Sequence, residues 1–317
     1  MVHTLGMRLL WQLSGMFLAG LATLASTGQA QASLVAHDEM RSTAHWQRAV
    51  VQALSQAPTA RVLVLEIDSG HILASAHLVD ASRALATPGS TLKPLILYFA
   101  LASGRWDSEH RVACTRQMHI GGHRLNCSHP AMDPMNAEQA LSWSCNSFFA
   151  ELAGMLSPQE LRQALSERGL LAATGLTPQE NVAVFHEPHT REQIQLAVLG
   201  VEGVRITLSE LAEAYRSLAI ELTAHPDTIA ARTVAEGLTD SASFGMAGAA
   251  SLGGVSIGGK TGTASAESGG ATHGWFVGFA PAQQPQVVVA VYLPVGHGSD
   301  AARVAASLLA HSPLRKP

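Results

Sequence analysis

The chain has 317 residues and a formal net charge of -4, with 47% hydrophobic and only 14% charged residues. That composition excludes disorder and leaves enough apolar material for a sizeable core. The 20 basic residues face 24 acidic ones without a basic cluster, so no nucleic-acid partner is expected.

In chain order, Arg8 precedes an apolar run from Leu9 to Ala25, and the following polar stretch ends in Ala30-Gln31-Ala32. This pattern predicts an export signal over 1–32 cleaved after Ala32, with an uncleaved anchor or a buried helix of a cytosolic domain as the alternatives, and a mature part, 33–317, working in the periplasm or otherwise outside the cytoplasm. The periodicity predicts a helix over Ala44–Ala53 and a hairpin of Arg61–Ile67 with His71–His77 around Asp68-Ser69-Gly70. Helices are expected at Leu92–Ala102, Ala137–Leu156, Pro158–Arg168, Arg191–Leu199 and Ser209–Leu218. Strands follow at Val255–Thr263, His273–Phe279 and Gln286–Leu293, and a helix at Asp300–Leu309 closes the chain. Strands split by a helical insert indicate an α+β fold with a sheet layer and a helical subdomain, whose intervening cleft is a natural place for a site.

Three short patterns carry chemistry. The basic residues divide into 17 Arg and three Lys, Lys93, Lys260 and Lys316. Guanidinium stays protonated, so a retained lysine marks a place that wants a free amine or a compact ammonium. Ser90-Thr91-Leu92-Lys93 opens a helix after Pro88-Gly89, and a three-residue spacing stacks Ser90 and Lys93 on one face. A serine becomes a nucleophile when a base takes its proton, and a desolvated lysine amine can do so; the plain alternative is a capping serine and a surface charge. Lys260-Thr261-Gly262-Thr263 lies on a predicted strand after Gly258-Gly259, where its ammonium and hydroxyls suit a carboxylate and the Thr263 N–H an oxyanion. A strand with a glycine bulge is the competing reading. Ser144-Cys145-Asn146 offers a hydroxyl to relay a proton and a carboxamide to hold a peptide group, although loop capping also explains such a triplet.

Together and in this order, the three patterns resemble those of the penicillin-recognising acyl-serine transferases, and most closely the transpeptidase domain of penicillin-binding proteins. Pro88-Gly89-Ser90-Thr91-Leu92-Lys93-Pro94, Ser144-Cys145-Asn146-Ser147-Phe148-Phe149 and Trp275-Phe276-Val277-Gly278-Phe279-Ala280-Pro281 carry the likeness. So do Gly200, Gly203, Thr207, Leu211-Ala212 and Ala214-Tyr215, although Leu208 replaces the usual proline. The resemblance covers roughly 61–295 and implies an antiparallel sheet flanked by helices, from about 33–90 and 246–317, with a helical part over about 91–245 and the active site between them. It implies Ser90 as acylated nucleophile, Lys93 as its base, Ser144 as proton relay and Asn146 as ligand of the acyl peptide. Lys260, Thr261, Gly262 and Thr263 would bind the substrate carboxylate, and the Ser90 and Thr263 N–H groups would form the oxyanion hole. The implied substrates are peptidoglycan stem peptides ending in D-Ala-D-Ala, with β-lactams as inhibitors, a cell-wall assembly partner left unidentified, and no metal or organic cofactor.

Departures bound the expectation. The few dozen residues between Ala32 and Arg61 suit a lone catalytic module without a pedestal or glycosyltransferase domain. No Glu-x-x-x-Asn loop like that of class A β-lactamases follows, and Asn146 stands where class D enzymes usually carry an apolar residue. A D,D-transpeptidase or D,D-carboxypeptidase is therefore expected ahead of a serine β-lactamase, with a non-turnover β-lactam or muropeptide sensor as a third reading. Cys114 and Cys127 flank a Gly-Gly turn, so a disulfide or two small buried hydrophobes are both open, and Cys145 stands apart in sequence. His119, His123, His129, His186 and His189 are read as surface loop histidines, because no Cys/His spacing fits a structural zinc site.

Overall fold

The computed structural model describes residues 42–265 and 270–314; the expected export signal lies outside them. Helix α1 covers 42–54. The chain then forms β1 (Arg61–Glu66), β2 (Ile72–Ala76), α2 (Leu78–Arg83), a 3-10 turn (Gly89–Leu92) and α3 (Lys93–Ala102). The middle holds the hairpin β3 (Gln117–Ile120) and β4 (His123–Asn126), then α4 (Ala137–Ser142), α5 (Asn146–Ala153) and α6 (Pro158–Ser166). After these come β5 (Val184–Phe185), α7 (Arg191–Val198), β6 (Val204–Arg205), α8 (Leu208–Ala224) and α9 (Ile229–Ser243). The chain returns as β7 (Gly258–Ser265), β8 (Thr272–Ala280), β9 (Val287–Leu293) and α10 (Gly298–Ala310).

The main sheet has the order β2-β1-β9-β8-β7 with every neighbouring pair antiparallel. Its central strands are near-continuously apolar, Val-Leu-Val-Leu in β1 and Val-Val-Val-Ala-Val-Tyr-Leu in β9, because both faces are covered. Alternation sends Val62, Val64, Phe276, Val289 and Val291 into one core with Trp46, Val50, Ala301 and Leu308 of the flanking helices. Leu63, Leu65, Val277, Val288 and Ala290 enter a second core with α3, α5 and α8. Each fully buried aliphatic side chain contributes about 1.5–3 kcal/mol, so the two cores fix the sheet as a rigid plate. The architecture is the expected α+β one, an antiparallel sheet with helices.

Several elements differ from the sequence expectation for identifiable reasons. The single helix expected over Ala137–Leu156 is broken at Trp143–Cys145, where Ser144 takes a left-handed φ of 55°. Helix α8 starts at Leu208 even without the usual proline, because Thr207 and Glu210 form a reciprocal capping box. Helix α9 escapes the periodicity reading because its buried face is largely Ala230, Ala231, Thr233 and Gly237, which give little hydropathy contrast. Strands β3 and β4 bury only alternate residues at the surface and so carry a weak signal. Among the described residues no helix is long and apolar enough to cross a membrane.

Candidate active site

The Gly89–Leu92 turn is clamped from three sides. The Gly89 N–H donates to the Gly200 carbonyl at 3.0 Å, and residue 86 bridges to residue 206. A Cβ on Gly200 would stand 2.1 Å from the Gly89 oxygen, so only glycine allows these backbones to touch. The Thr87 carbonyl accepts from Trp275 Nε1 at 2.9 Å and His273 Nε2 at 2.8 Å, and the Thr91 carbonyl accepts from Tyr215 Oη at 2.8 Å. Those three aromatic residues support the Gly89–Leu92 turn and were missed as supports in the sequence; their signal is a polar ring tip in otherwise apolar elements. Ser90 is half-buried, and its carbonyl accepts the Lys93 N–H as the turn passes into α3.

Strand β7 is one of the sheet's two edge strands and runs along this turn. A Cβ on Gly262 would lie 2.5 Å from the Pro88 oxygen and 3.4 Å from the Ser90 nitrogen. The glycine therefore lets the β7 backbone approach Ser90 with no side chain between, and a Cβ on Gly89 would likewise meet the Thr263 nitrogen at 3.0 Å. Lys260 projects from β7 on the side of Ser144, whereas Thr261 Oγ1 donates to the Met246 carbonyl at 3.3 Å and Thr263 Oγ1 accepts from the Gly298 N–H at 2.9 Å. The two hydroxyls expected to bind a carboxylate are thus engaged with protein groups.

The three patterns converge on Ser144. Lys93 Nζ lies 2.9 Å from the Ser144 carbonyl, 3.3 Å from Ser144 Oγ and 2.7 Å from Asn146 Oδ1. From the other side Lys260 Nζ donates to Ser144 Oγ at 2.8 Å and to the Thr261 carbonyl at 3.0 Å. Asn146 Nδ2 donates to the Asn126 carbonyl at 2.9 Å, which anchors its amide to the end of β4. Both lysines are fully buried. Burial brings the Lys93 ammonium down to about 8, against the opposing charges of Cys127 and Cys145. Burial, with the neighbouring Lys93 charge adding to it, holds Lys260 well below its ordinary value. An ammonium at Lys93 would commit all its protons to the three acceptors. A neutral amine satisfies the two shorter contacts and keeps a lone pair able to accept a proton.

The α4–α5 turn that carries Ser144 and Asn146 also holds Cys145, and here the sequence expectations are corrected. Cys145 does not stand apart: its Sγ is 4.0 Å from Cys127 Sγ. No disulfide joins Cys114 to Cys127, as all three cysteines are free thiols. Sequence spacing gave no zinc pattern, yet Cys114, Cys127, His129 and Cys145 direct ligand atoms to one point, all within 4.8 Å of one another. His129, in the loop after β4, is buried within this cluster and is not a surface histidine. His119, His123, His186 and His189 lie outside it. A cavity of about 570 Å³ lined by Leu222, Ala235, Thr239 and Pro285 includes none of the residues described here.

A family model described as the penicillin binding protein transpeptidase domain matches residues 60–311. A protein described as a probable peptidoglycan D,D-transpeptidase PenA, from Neisseria gonorrhoeae, is 27% identical over 290 residues, covering 77% of this chain and 49% of that protein. PenA of Neisseria flavescens is 26% identical over 293 residues, covering 78% of this chain and 72% of its own. The chain thus spans about half the length of the gonococcal relative. Among solved structures, the transpeptidase domain of Burkholderia pseudomallei penicillin-binding protein 3 superposes with a TM-score of 0.75 at 22% identity, covering 86% of this chain and 93% of that one. The D,D-transpeptidase domain of a peptidoglycan glycosyltransferase from Eggerthella lenta gives 0.72 at 22%, covering 84% and 80%. At these identities the structural likeness speaks to the fold.

Proposed function

The chain belongs to the penicillin-binding protein transpeptidase domain family, and on that premise we propose that it is an exported serine acyltransferase acting on D-Ala-D-Ala ends of peptidoglycan stem peptides. The observation that carries the proposal is the pair of buried lysines meeting at Ser144 Oγ, with Lys93 three residues beyond Ser90 in the chain and the bare backbone of Gly262 packed against the Ser90 turn. Few arrangements other than proton transfer justify two desolvated amines around one hydroxyl.

In this reading the stem peptide lies along the free edge of β7. Ser90 Oγ attacks the carbonyl of the penultimate D-Ala while its proton passes to Lys93 Nζ, and the oxyanion is received by the Ser90 and Thr263 N–H groups. Collapse breaks the peptide bond, and the departing D-Ala amine takes its proton through Ser144 Oγ from the lysine pair. Ser90 is then left as an ester until an amine or water attacks it by the reverse route. The substrate carboxylate docks near Lys260, where an opposite charge raises the lysine's proton affinity again and fixes it as the cation of the pair. Asn146 holds the acyl peptide group through the part of its amide not bound to Lys93 and Asn126. Thr261 and Thr263 would exchange their present partners for the carboxylate on binding. A β-lactam enters as a cyclic mimic of the scissile amide and stays on Ser90.

The relatives named as D,D-transpeptidases favour an amine acceptor over water. Incubating the purified chain with a fluorescent penicillin, and separately with a D-Ala-D-Ala stem peptide with and without an amine acceptor, tests the reading. Stable labelling together with acceptor-dependent D-Ala release is the expected result; rapid loss of label would indicate a β-lactamase, and no labelling would remove the proposal.

A further inference from the structure

We propose that Cys114, Cys127, His129 and Cys145 form a closed, structural Zn²⁺ site that pins the Ser144–Asn146 turn to the β3–β4 hairpin. The four ligand atoms already converge within 4.8 Å of one another, three of the residues being buried and Cys114 half-buried. With Zn–S near 2.3 Å and Zn–N near 2.0 Å, a tetrahedral ion holds its ligands about 3.5–3.8 Å apart. Here Cys127 Sγ to Cys145 Sγ is 4.0 Å and Cys114 Sγ to His129 Nε2 is 3.5 Å.

The surroundings prepare the ligands. His129 Nδ1 lies 2.7 Å from the Pro130 carbonyl. A carbonyl only accepts, so Nδ1 carries the proton and the Nε2 lone pair faces the sulfurs, which is the outer-shell contact that orients a metal-bound imidazole. Cys127 Sγ accepts the Asn146 N–H at 3.2 Å, and Cys114 Sγ accepts the Arg116 N–H at 3.4 Å and Ser147 Oγ at 3.7 Å. Donors aimed at sulfur suit thiolates better than thiols. An odd set of three cysteines with a histidine leaves one thiol over in any disulfide pairing, whereas one divalent ion uses all four groups. Soft thiolates with one imidazole in a tetrahedral set select zinc over magnesium or calcium, and four protein ligands leave no open position for a substrate.

The ligands come from the loop before β3, the end of β4 with the loop after it, and the α4–α5 turn. Binding releases the thiol protons and links three segments that are otherwise distant in sequence. Cys145 sits between Ser144 and Asn146, so the ion holds that turn through one residue on either side. It thereby helps keep Ser144 in its left-handed conformation, which costs a non-glycine residue about 1–3 kcal/mol. This last consequence rests on the proposed function of the turn; the metal site does not.

The test uses the full chain, purified without chelator. Elemental analysis should find about one zinc per chain. Exchange with Co²⁺ should give the thiolate charge-transfer and tetrahedral d–d bands of a sulfur-ligated ion, and Cys127→Ala and His129→Ala should each lose the metal. Stripping zinc should lower both the melting temperature and the rate of penicillin labelling, and restoring Zn²⁺ should recover them. Should a variant fail to fold, the wild-type cobalt spectrum decides alone. A reduced, folded chain that takes up neither Zn²⁺ nor Co²⁺, or a disulfide among the three cysteines in the purified protein, would overturn the site. Zinc bound stoichiometrically in a chain that no penicillin labels would leave the metal site standing and remove only the proposed function.

Discussion

Replacing Lys93 by methionine should separate catalysis from stability. Burial, opposed by the charges of Cys127 and Cys145, moves the Lys93 amine from 10.5 to about 8. At about 1.4 kcal/mol per unit, keeping it protonated in the fold costs about 3 kcal/mol. The folded value lies below the unfolded one, so this cost is fully present below pH 8, shrinks as pH rises towards 10.5 and is absent above. At neutral pH the Lys93→Met chain escapes it, while the Asn146 Oδ1 and Ser144 carbonyl contacts of 2.7 and 2.9 Å are lost, at about 1–3 kcal/mol. The two nearly cancel, so denaturant unfolding should change by less than about 2 kcal/mol, whereas penicillin acylation should fall by about 10²–10⁴-fold. Wild-type acylation should rise about a hundredfold between pH 6 and 9 as the neutral amine appears, and level off above its midpoint near pH 8. Lys93→Arg should be nearly as inactive as Lys93→Met, because guanidinium cannot accept the serine proton. A flat wild-type profile, or an arginine variant within about tenfold of wild type, would refute the assignment of Lys93 as base.

Two further substitutions probe the facing strand. Lys260→Ala should slow acylation by about a hundredfold or more, and Lys260→Arg should retain more of the rate if a cation is what the substrate carboxylate needs; equal losses in two folded variants, measured as second-order rates with one penicillin, would count against a charge role. Gly262→Ala should push β7 off the Ser90 turn, because its Cβ would meet the Pro88 oxygen at 2.5 Å; the expected cost is about 1–3 kcal/mol of stability with acylation down more than tenfold, and a variant matching wild type in melting and labelling would disprove the close approach.

The sheet was legible because β1 and β9 are apolar on both faces, and the Ser90 turn because Pro88-Gly89 precedes a helix that begins with a lone lysine. Ser-x-Asn was legible only as a pattern. Its conformation depends on the break between α4 and α5, which no local signal marks because Ser144 is neither glycine nor asparagine. The supports from Tyr215, His273 and Trp275 were hidden for a different reason: each spans more than a hundred residues of sequence to reach one carbonyl. The thiol cluster escaped likewise, as its ligands come from separate loops and local spacing rules describe only ligands on one hairpin or helix. His129 follows the exposed β3–β4 hairpin in a loop, where a histidine resembles a surface group, and its burial comes from contacts that local sequence does not show.

The most direct test of the account is the position of the covalent bond. After brief exposure of the full chain to a penicillin, proteolysis and mass spectrometry should find a single adduct, on the peptide carrying Ser90, and Ser90→Ala should abolish it while leaving the melting temperature close to wild type. An adduct on any other residue, or labelling that survives Ser90→Ala, would contradict it.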